Sequence, residues 1–364
     1  WLKRNKKDKS PTYYVRAVGQ MKTLKDLVRK NILALKPYSC ARDEFKGEAA
    51  VFLDANENPF GAPYNRYPDP RQWALKEKIA KIKGVPASQI MLGNGSDEPI
   101  DLIIRIFCEP GVDNMVAIEP TYGMYGVSAD INNVEYRRVN LDSNFDIDVD
   151  AIFKAIDDNT KVIWLCSPNN PTGNALSRDR IRRIIDGFEG IVVVDEAYID
   201  FSSQPSWLEE LPAMPNLIVL QTFSKAWGLA SVRCGMAFAS TDIIELFNKV
   251  KYPYNINLLT QNFVSERINL VDEKNRRVTA ILDERPRVMR EIGKLPIVEK
   301  VYPSDANFVL VKVRDANATY QRLVERGIIV RNRHSVTLCG NCLRITIGTK
   351  EENDRLVEEL IINN

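Results

Sequence analysis

The hydrophobic residues of this chain fall into two kinds of run that alternate along its middle. Continuous apolar runs, such as those within residues 190–195 and 216–221, are typical of strands buried on both faces of a sheet. Amphipathic runs such as residues 99–108 lie between such segments, and their spacing predicts helices. The alternation from about residue 65 to 250 predicts an α/β fold with a mainly parallel, mixed sheet covered by helices.

The last part of the chain changes pattern. A highly charged run over residues 271–294 predicts a long helix that leads into a smaller α+β domain. The segments expected to build that domain are residues 307–313, 319–326 and 342–348 and a final helix from Glu351. The predicted divisions are a basic N-terminal extension (1–20), an N-terminal helix and arm (21–64), a large domain (65–270), and a linking helix with the small C-terminal domain (271–364).

Composition and charge narrow the class of function. The 364 residues are 45% hydrophobic and 27% charged, which suffices to bury a large core. The net charge of +2 gives no field suited to nucleic acid or to an anionic membrane. No apolar run approaches the roughly 18 residues that a membrane span needs. We therefore expect small-molecule partners, with no nucleic acid and no membrane.

Residues 1–20 differ from the rest of the chain. They carry six Lys or Arg and one Asp, show no clear period, and precede Met21, where a lysine-bearing amphipathic helix is expected to begin. They contain no apolar region with the small-residue cleavage site of a secretory signal. Two interpretations stay open: an upstream extension, disordered or non-native, with Met21 as the natural start, or a short basic arm that binds an acidic partner.

Cysteine usage favours a reduced, cytoplasmic protein, because the six cysteines show no regular disulfide framework. They stand at positions 40, 108, 166, 234, 339 and 342. Cys339 and Cys342 form a lone C-x-x-C, and His334 is the only histidine, so a four-ligand zinc site is poorly supplied. A redox or metal role for this pair remains an alternative.

Polar residues follow the ends of the expected strands in an informative order. Lys225 comes just after the run 216–221, and Asp195 closes the run 190–195. A lysine with a depressed pKa can hold an aldehyde as a Schiff base, and a buried carboxylate keeps a pyridine nitrogen protonated. These are the needs of pyridoxal phosphate (PLP), whose phenolic oxygen Tyr198 could reach.

A phosphate group needs backbone N–H groups at a helix start and a bidentate cation. Residues 92–98, between a predicted strand and an amphipathic run, have that form. We expect the phosphate to be held by Ser96, the adjacent amides, Ser224 and Arg233. Alone, Asp195 could be a helix N-cap, Lys225 a loop residue and Arg233 a solvated charge. Their occurrence in cofactor order favours PLP.

At this point the chain resembles a known family. The segments 167–173 (SPNNPTG), 194–198 (VDEAY), 224–229 (SKAWGL) and 233–235 (RCG) are similar to those of fold-type I, PLP-dependent aminotransferases. The segments 53–59 (LDANENP), 66–70 (RYPDP) and 342–348 (CLRITIG) resemble, more closely, the histidinol-phosphate aminotransferases of class II. The resemblance extends from about Leu24 to the end of the chain.

The resemblance implies roles for individual residues. Lys225 would hold the cofactor and carry the proton, Asp195 would pair with the ring nitrogen, and Tyr198 would assist as a third catalytic residue. The remaining residues expected to contact PLP are Asn170 at the phenolic oxygen, Tyr122 on the ring, and Ser96, Asp97, Ser224 and Arg233 at the phosphate. Tyr67 would reach the phosphate across a homodimer interface, so that two subunits share each site.

The substrate residues implied by the resemblance are mostly cationic. Arg344 matches a general carboxylate-binding arginine, and Arg331 matches a position linked to substrate phosphate. Planar guanidinium groups suit both anions. Tyr38 and Asn56 are the other expected substrate contacts, and no metal is expected. Whether Tyr252 or Tyr254 lies near the substrate stays undecided.

The expected activity is transamination between L-histidinol phosphate and 2-oxoglutarate, giving imidazole-acetol phosphate and L-glutamate in histidine biosynthesis. Three alternatives remain. One is an aminotransferase of the same fold that acts on aromatic or other amino acids. Another is a PLP-dependent decarboxylase of a phosphorylated amino acid, and the last is a PLP-binding regulatory module.

Overall fold

The computed structural model describes residues 22–38 and 51–362. Its main element is a sheet of seven strands: β1 (Ile90–Asn94), β2 (Asn114–Glu119), β3 (Glu135–Asn140), β4 (Thr160–Cys166), β5 (Ile191–Asp195), β6 (Leu217–Thr222) and β7 (Cys234–Phe238). Their order in space is β1-β7-β6-β5-β4-β2-β3. Strands β2 to β6 are parallel, and β7 is antiparallel to both of its neighbours. The expected mainly parallel α/β fold is confirmed.

Helices cover the large sheet and continue into the C-terminal part of the chain. Before and among the strands lie α1 (Leu24–Leu27), α2 (Lys30–Ala34), α3 (Trp73–Lys83), α4 (Asp97–Phe107), α5 (Met124–Ile131), α6 (Val149–Ala155) and α7 (Arg178–Gly187). After them come α8 (Thr241–Val250), α9 (Leu258–Arg267), α10 (Val271–Gly293), α11 (Ala316–Glu325) and α12 (Lys350–Ile362). Short 3₁₀ turns connect several of these elements.

Burial on both faces explains why the central strands are continuously apolar. In β5, Val192 and Val194 pack into one hydrophobic cluster, and Ile191 and Val193 pack into another on the opposite face. All four side chains are fully buried. Since neither face meets water, alternation between apolar and polar residues has no role in these strands.

The register of the parallel strands brings their carboxyl ends to one edge of the sheet. Cys166 at the end of β4 stands opposite Asp195 at the end of β5, and Asp195 in turn stands opposite Leu220 of β6. Segments leaving these strands therefore meet at the same edge, which is where open α/β sheets bind ligands.

The C-terminal part forms a second, antiparallel sheet of four strands. They are β8 (Val298–Val301), β9 (Phe308–Val313), β10 (Arg331–Asn332) and β11 (Cys342–Thr346), in the order β10-β11-β9-β8. The long helix α10 leads into this sheet, and its Val288 and Ile292 are buried in the sheet's hydrophobic cluster. The expected small α+β domain is present, while the residue bounds proposed for the divisions of the chain stay predictions.

The N-terminal helix differs from expectation. In place of one helix, the chain forms the two short helices α1 and α2, interrupted by extended backbone at Val28 and Arg29. Arg29 explains the break, because its backbone N–H donates to the carbonyl of Ile106 at 3.0 Å and its side chain contacts Glu109. These tertiary contacts outweigh local helix propensity. The basic segment 1–20, Met21 and Cys40 lie outside the described residues.

Candidate active site

A pocket of about 800 Å³ lies at the carboxyl edge of the large sheet and extends to the β10–β11 hairpin of the small sheet. Many of the residues expected at the site line it: Ser96, Asp97, Tyr122, Asn170, Asp195, Tyr198, Ser224, Lys225, Arg233, Arg331 and Arg344. Residues separated by more than two hundred positions thus share one cavity. The pocket also has a wall of residues that sequence reasoning did not single out, among them Glu119, Tyr136, Arg138 and Arg333.

Lys225 follows β6 in a tight turn, in which the backbone N–H of Ser224 donates to Thr222 Oγ1 at 3.1 Å. Its Nζ lies 5.5 Å from the centre of the Tyr198 ring. The side chain opens into the pocket, yet the surrounding walls remove water from it and lower the pKa of the amine, and the positive charge of Arg344 lowers it further. A lysine in this state can exchange protons near neutral pH more readily than a solvated one.

Asp195 ends β5 as an almost fully buried carboxylate. It accepts two hydrogen bonds, from Tyr125 Oη at 2.6 Å and from the backbone N–H of Ala197 at 3.0 Å. Burial raises the pKa of Asp195, against the opposing effect of the Tyr125 bond. Burial also raises the pKa of Tyr125 well above its usual range, so that its hydroxyl keeps the proton it donates. The carboxylate is thus held in a fixed orientation and favours a cationic partner.

Close backbone packing shapes the phosphate end of the pocket. Gly95 has a φ of +68° and donates its N–H to the carbonyl of Arg233 at 2.9 Å, and a Cβ on Gly95 would lie 2.4 Å from a terminal guanidinium nitrogen of Arg233. A Cβ on Gly235 would lie 2.4 Å from the backbone carbon of Gly95. A Cβ at Gly235 would collide with backbone, while a side chain at Gly95 would need both a left-handed backbone and a shift of Arg233. Ser96 stands at the N-cap position of α4, whose first N–H groups can receive an anion.

Asp97 links the phosphate end to the ring-stacking position. It accepts a hydrogen bond from Tyr122 Oη at 3.0 Å and forms an ion pair with Arg233 at 3.3 Å. Burial raises the pKa of Tyr122, and the Asp97 charge adds to that effect, so the phenol stays neutral. Asp97 therefore orients both Tyr122 and Arg233.

The loop 167–173 is held in place by hydrogen bonds of a buried side chain. The amide nitrogen of buried Asn169 donates to the carbonyl of Pro120 and to Thr172 Oγ1, both at 2.9 Å. Asn170, the next residue, lines the pocket, and its side-chain oxygen accepts a hydrogen bond from Arg344. This bond joins the two sheets across the pocket.

Three arginines occupy the hairpin side of the pocket. Arg331 of β10 stands directly opposite Arg344 of β11, and Arg333 lines the same cavity two residues beyond Arg331. Burial lowers the pKa of Arg344 and lowers that of Arg333 to about 10, and in each case neighbouring arginine charge contributes. This end of the pocket is strongly cationic.

Three expected site residues are not brought to the pocket of the single chain. Tyr38 is 73% exposed, and Asn56 lies in the arm with a φ of +55°. Tyr67 stacks on Tyr254, with ring centres 4.4 Å apart, while Tyr252 is largely exposed. Their roles at the site stay predictions.

The Cys339–Cys342 pair gains no support as a chemical site. Both thiols are free, and burial raises their pKa values to about 12 for Cys339 and about 11 for Cys342. Thiols with such raised pKa values are poor nucleophiles. Over residues 22–38 and 51–362, no cluster of three or more potential metal-ligating side chains occurs. None of the described helices has the length and apolar character to cross a membrane.

The residues fit PLP as a chemical group. Asp195 is a buried carboxylate with a raised pKa, and a protonated pyridine nitrogen would supply the cation that it lacks. The turn at Gly95 places Arg233 beside a helix N-terminus, where both can bind a phosphate. Lys225 and Tyr198 face the space between these two groups. The donors and acceptors therefore match the ends and the middle of one cofactor.

Comparison with known proteins agrees with this geometry. Residues 49–360 match the family Aminotransferase class I and II, and the chain belongs to that family. The histidinol-phosphate aminotransferase of Parabacteroides distasonis is 60% identical over 340 residues, which cover 93% of this chain and 99% of that protein.

Two solved structures share the fold. The histidinol-phosphate aminotransferase of Clostridium acetobutylicum has a TM-score of 0.76 at 23% identity, over 85% of this chain and 97% of that one. The enzyme of Sinorhizobium meliloti, solved in complex with pyridoxal 5′-phosphate, has a TM-score of 0.75 at 24% identity, over 85% of this chain and 90% of that one.

Proposed function

We propose that this chain is a PLP-dependent transaminase that interconverts L-histidinol phosphate plus 2-oxoglutarate and imidazole-acetol phosphate plus L-glutamate, a step of histidine biosynthesis. The observation that carries the proposal is one pocket in which Lys225 and Asp195 face a cluster of arginines from the small sheet. The high identity to a histidinol-phosphate aminotransferase over nearly the whole chain supports the substrate assignment.

Each cofactor-facing residue has a physical task. PLP, when bound, supplies the electron sink that makes the substrate Cα–H bond acidic. Lys225 Nζ, with its lowered pKa, takes that proton and returns it. Asp195 keeps positive charge at the ring nitrogen, and Asn170 and Tyr198 donate to the phenolic oxygen. Arg233, Ser224 and Ser96 fix the phosphate so that the Cα–H bond is held in one orientation.

The arginines account for the two kinds of substrate. Histidinol phosphate carries a phosphate ester where an amino acid carries its α-carboxylate, and glutamate brings two carboxylates. Arg344, which donates a hydrogen bond to Asn170, binds the anion nearest Cα, which is the α-carboxylate of glutamate or the phosphate of histidinol phosphate. Arg331 lies opposite Arg344 on the neighbouring strand. Both guanidinium groups can bind either anion through paired N–H donors.

We also propose a homodimer whose subunits share each active site. Exposed apolar and aromatic side chains in the arm, at the start of α3 and in and just before α9 support this, because burial between two subunits would remove them from water. They include Leu53, Phe60, Tyr64, Tyr67, Trp73, Tyr252, Leu259 and Phe263. In the dimer Tyr67 would reach the partner's cofactor phosphate. Light scattering at micromolar concentration should give twice the chain mass, and a monomer that is fully active would contradict the shared site.

A cytoplasmic location fits the described cysteines. Cys108, Cys166, Cys234, Cys339 and Cys342 are all free. Free thiols in this number are typical of a reducing compartment.

The decisive experiment is an activity assay with matched substrates. The PLP-loaded protein is mixed with 2-oxoglutarate and either L-histidinol phosphate or dephosphorylated L-histidinol, and glutamate formation is measured. We expect a kcat/KM at least about 100-fold higher with the phosphate ester, because a phosphate binds two desolvated guanidinium groups. Equal rates, or activity only with aromatic amino acids, would refute the substrate assignment. A parallel incubation with a phosphorylated α-amino acid, which has the α-carboxylate that both histidinol substrates lack, tests the decarboxylase alternative. Release of carbon dioxide there, without glutamate formation, would indicate a decarboxylase.

A further inference from the structure

The hairpin that carries Arg331 and Arg344 places a third arginine in the same pocket. We propose that Arg333 is a specificity-determining residue, which binds the doubly charged phosphate of the substrate together with Arg331 and Arg344 and so favours phosphate esters over carboxylates. The inference rests on the proposed function and adds a residue to its substrate site.

The strand pairing puts the three side chains on one side of the hairpin. Arg331 is the direct cross-strand neighbour of Arg344. The pairing continues past β10, since the backbone N–H of Arg333 donates to the carbonyl of Cys342 at 2.8 Å. Residues two apart in extended backbone point to the same face, so Arg333 follows Arg331 on the face that Arg344 shares. All three line the pocket that contains Lys225.

The three guanidinium groups have no carboxylate partner among the residues that the structure describes. Across residues 22–38 and 51–362, no carboxylate lies within ion-pair distance of Arg331, Arg333 or Arg344. Arg344 has one acceptor, the neutral amide of Asn170. The Arg333 guanidinium makes no hydrogen bond to any described residue, and its Nε is buried. Buried donors without an acceptor are rare in proteins, so an acceptor is expected from a ligand.

Other arginines of the described chain show the contrast. Arg180 forms ion pairs with Asp142 and Asp146, and Arg287 forms ion pairs with Glu284 and Asp354. Such pairs are the usual state of an arginine that has carboxylates near it. The hairpin instead brings three arginines into one cavity, and no carboxylate of the described part of the chain forms an ion pair with them.

The repulsion between these arginines contributes to a lowered pKa of Arg333. Burial lowers the pKa of Arg333 to about 10, and the charges of Arg344 and Arg331 contribute to that shift. A ligand that brings two negative charges relieves more of this repulsion than a ligand that brings one. A phosphate ester also offers three terminal oxygens, against two for a carboxylate. The third guanidinium therefore acts mainly when the ligand is a phosphate.

Substitution of Arg333 tests this directly. Arg333→Gln removes the positive charge, and Arg333→Lys keeps a positive charge but lacks the planar guanidinium group. The matched control is Arg314→Gln, since Arg314 is exposed, follows β9 and lies outside the pocket. For each PLP-loaded protein, kcat/KM is measured with L-histidinol phosphate and with L-histidinol, and the KM for 2-oxoglutarate is measured alongside.

We expect Arg333→Gln to lower the ratio of kcat/KM for histidinol phosphate over histidinol by about 30-fold. The KM for 2-oxoglutarate should change by less than about fivefold, and Arg333→Lys should recover part of the ratio. The control variant Arg314→Gln should have the wild-type kcat/KM with both substrates. An unchanged ratio in Arg333→Gln, a lysine variant no better than the glutamine one, or an equal loss with both substrates would each overturn the inference.

A binding measurement separates this inference from the proposed function. Inorganic phosphate is titrated calorimetrically into the PLP-loaded wild-type and Arg333→Gln proteins. We expect the variant to bind phosphate about tenfold more weakly, because one of three guanidinium contacts is lost. If the wild type does not transaminate histidinol phosphate, the proposed function fails, while the titration still tests Arg333. Equal phosphate affinity in an active wild type and its variant would refute the role of Arg333 alone.

Discussion

The two halves of the pocket are built on opposite principles. On the large sheet, the two carboxylates have partners: Asp195 accepts from Tyr125, and Asp97 joins Tyr122 to Arg233. On the hairpin, three arginines share a cavity, and no described carboxylate pairs with them. The first half is preorganised before any ligand arrives, which suits a cofactor that stays bound. In the proposed function, the second half is completed by the charge of the substrate, which enters and leaves in each cycle.

Lys225 should give the largest effect if the large-sheet half performs the chemistry. Lys225→Ala removes the amine that carries the proton, so we expect kcat to fall by about 10⁴-fold. Steady-state glutamate formation measures the loss.

A matched control is Lys274→Ala, since Lys274 also lies over an aromatic ring and pairs with Asp200 away from the pocket. That variant should remain active. Near wild-type turnover by Lys225→Ala would show that another base serves the reaction.

Arg344 stands between the halves, and its removal should affect both. We expect Arg344→Gln to lower kcat/KM about 100-fold for histidinol phosphate and for 2-oxoglutarate alike, because both bring an anion to it. The variant also removes a positive charge that lowers the pKa of Lys225. That pKa should rise, so less neutral amine is present at a given pH, and the acidic limb of the pH–rate profile should move to higher pH.

The profile of Arg344→Lys provides the comparison. Because the positive charge is retained, its acidic limb should stay close to that of the wild type. An Arg344→Gln profile that does not move would show that Lys225 is insulated from the substrate half.

Tyr125 offers the smallest and most local test. Tyr125→Phe removes one of the two hydrogen bonds to Asp195, and we expect the affinity for PLP to fall about tenfold. The loss also raises the pKa of Asp195 further, since the Tyr125 bond lowers it. Titration of the PLP-free protein with PLP, followed by absorbance, measures the effect.

Tyr320→Phe, on α11 and outside the pocket, is the control and should bind PLP normally. An unchanged affinity in Tyr125→Phe would mean that Asp195 is oriented well enough by Ala197 alone.

Much of the large-sheet half could be predicted from sequence, and the reason is local. Asp195 and Lys225 directly follow apolar strands, and parallel strands bring their carboxyl ends together, so position in the chain implies position in space. The strands, the long helix α10 and a small α+β domain at the end of the chain are predicted on similar grounds, whereas the antiparallel order of the small sheet is not. The resemblance to known aminotransferases added the motifs that assign Arg331 and Arg344.

The residues that were missed act through distant partners. Tyr125 lies inside an ordinary helix, α5, and becomes informative only because Asp195, 70 positions later, accepts its hydrogen bond. Arg333 belongs to no motif that stands out in the sequence, although its spacing of two from Arg331 is a usable sign of a shared strand face. The break between α1 and α2 depends on contacts of Arg29 with the end of α4, which no local pattern reports.

The hydrogen bond between Arg344 and Asn170 spans 174 positions of the chain and is a direct link across the pocket. In the proposed function, residues 331–344 carry the substrate contacts, and this bond couples them to the loop that borders the cofactor. New substrates could be acquired by changing this one hairpin, while the buried strand ends that hold the cofactor stay as they are. Relatives that act on different amino acids would then differ chiefly in this short segment. The reaction could be conserved while the substrate changes.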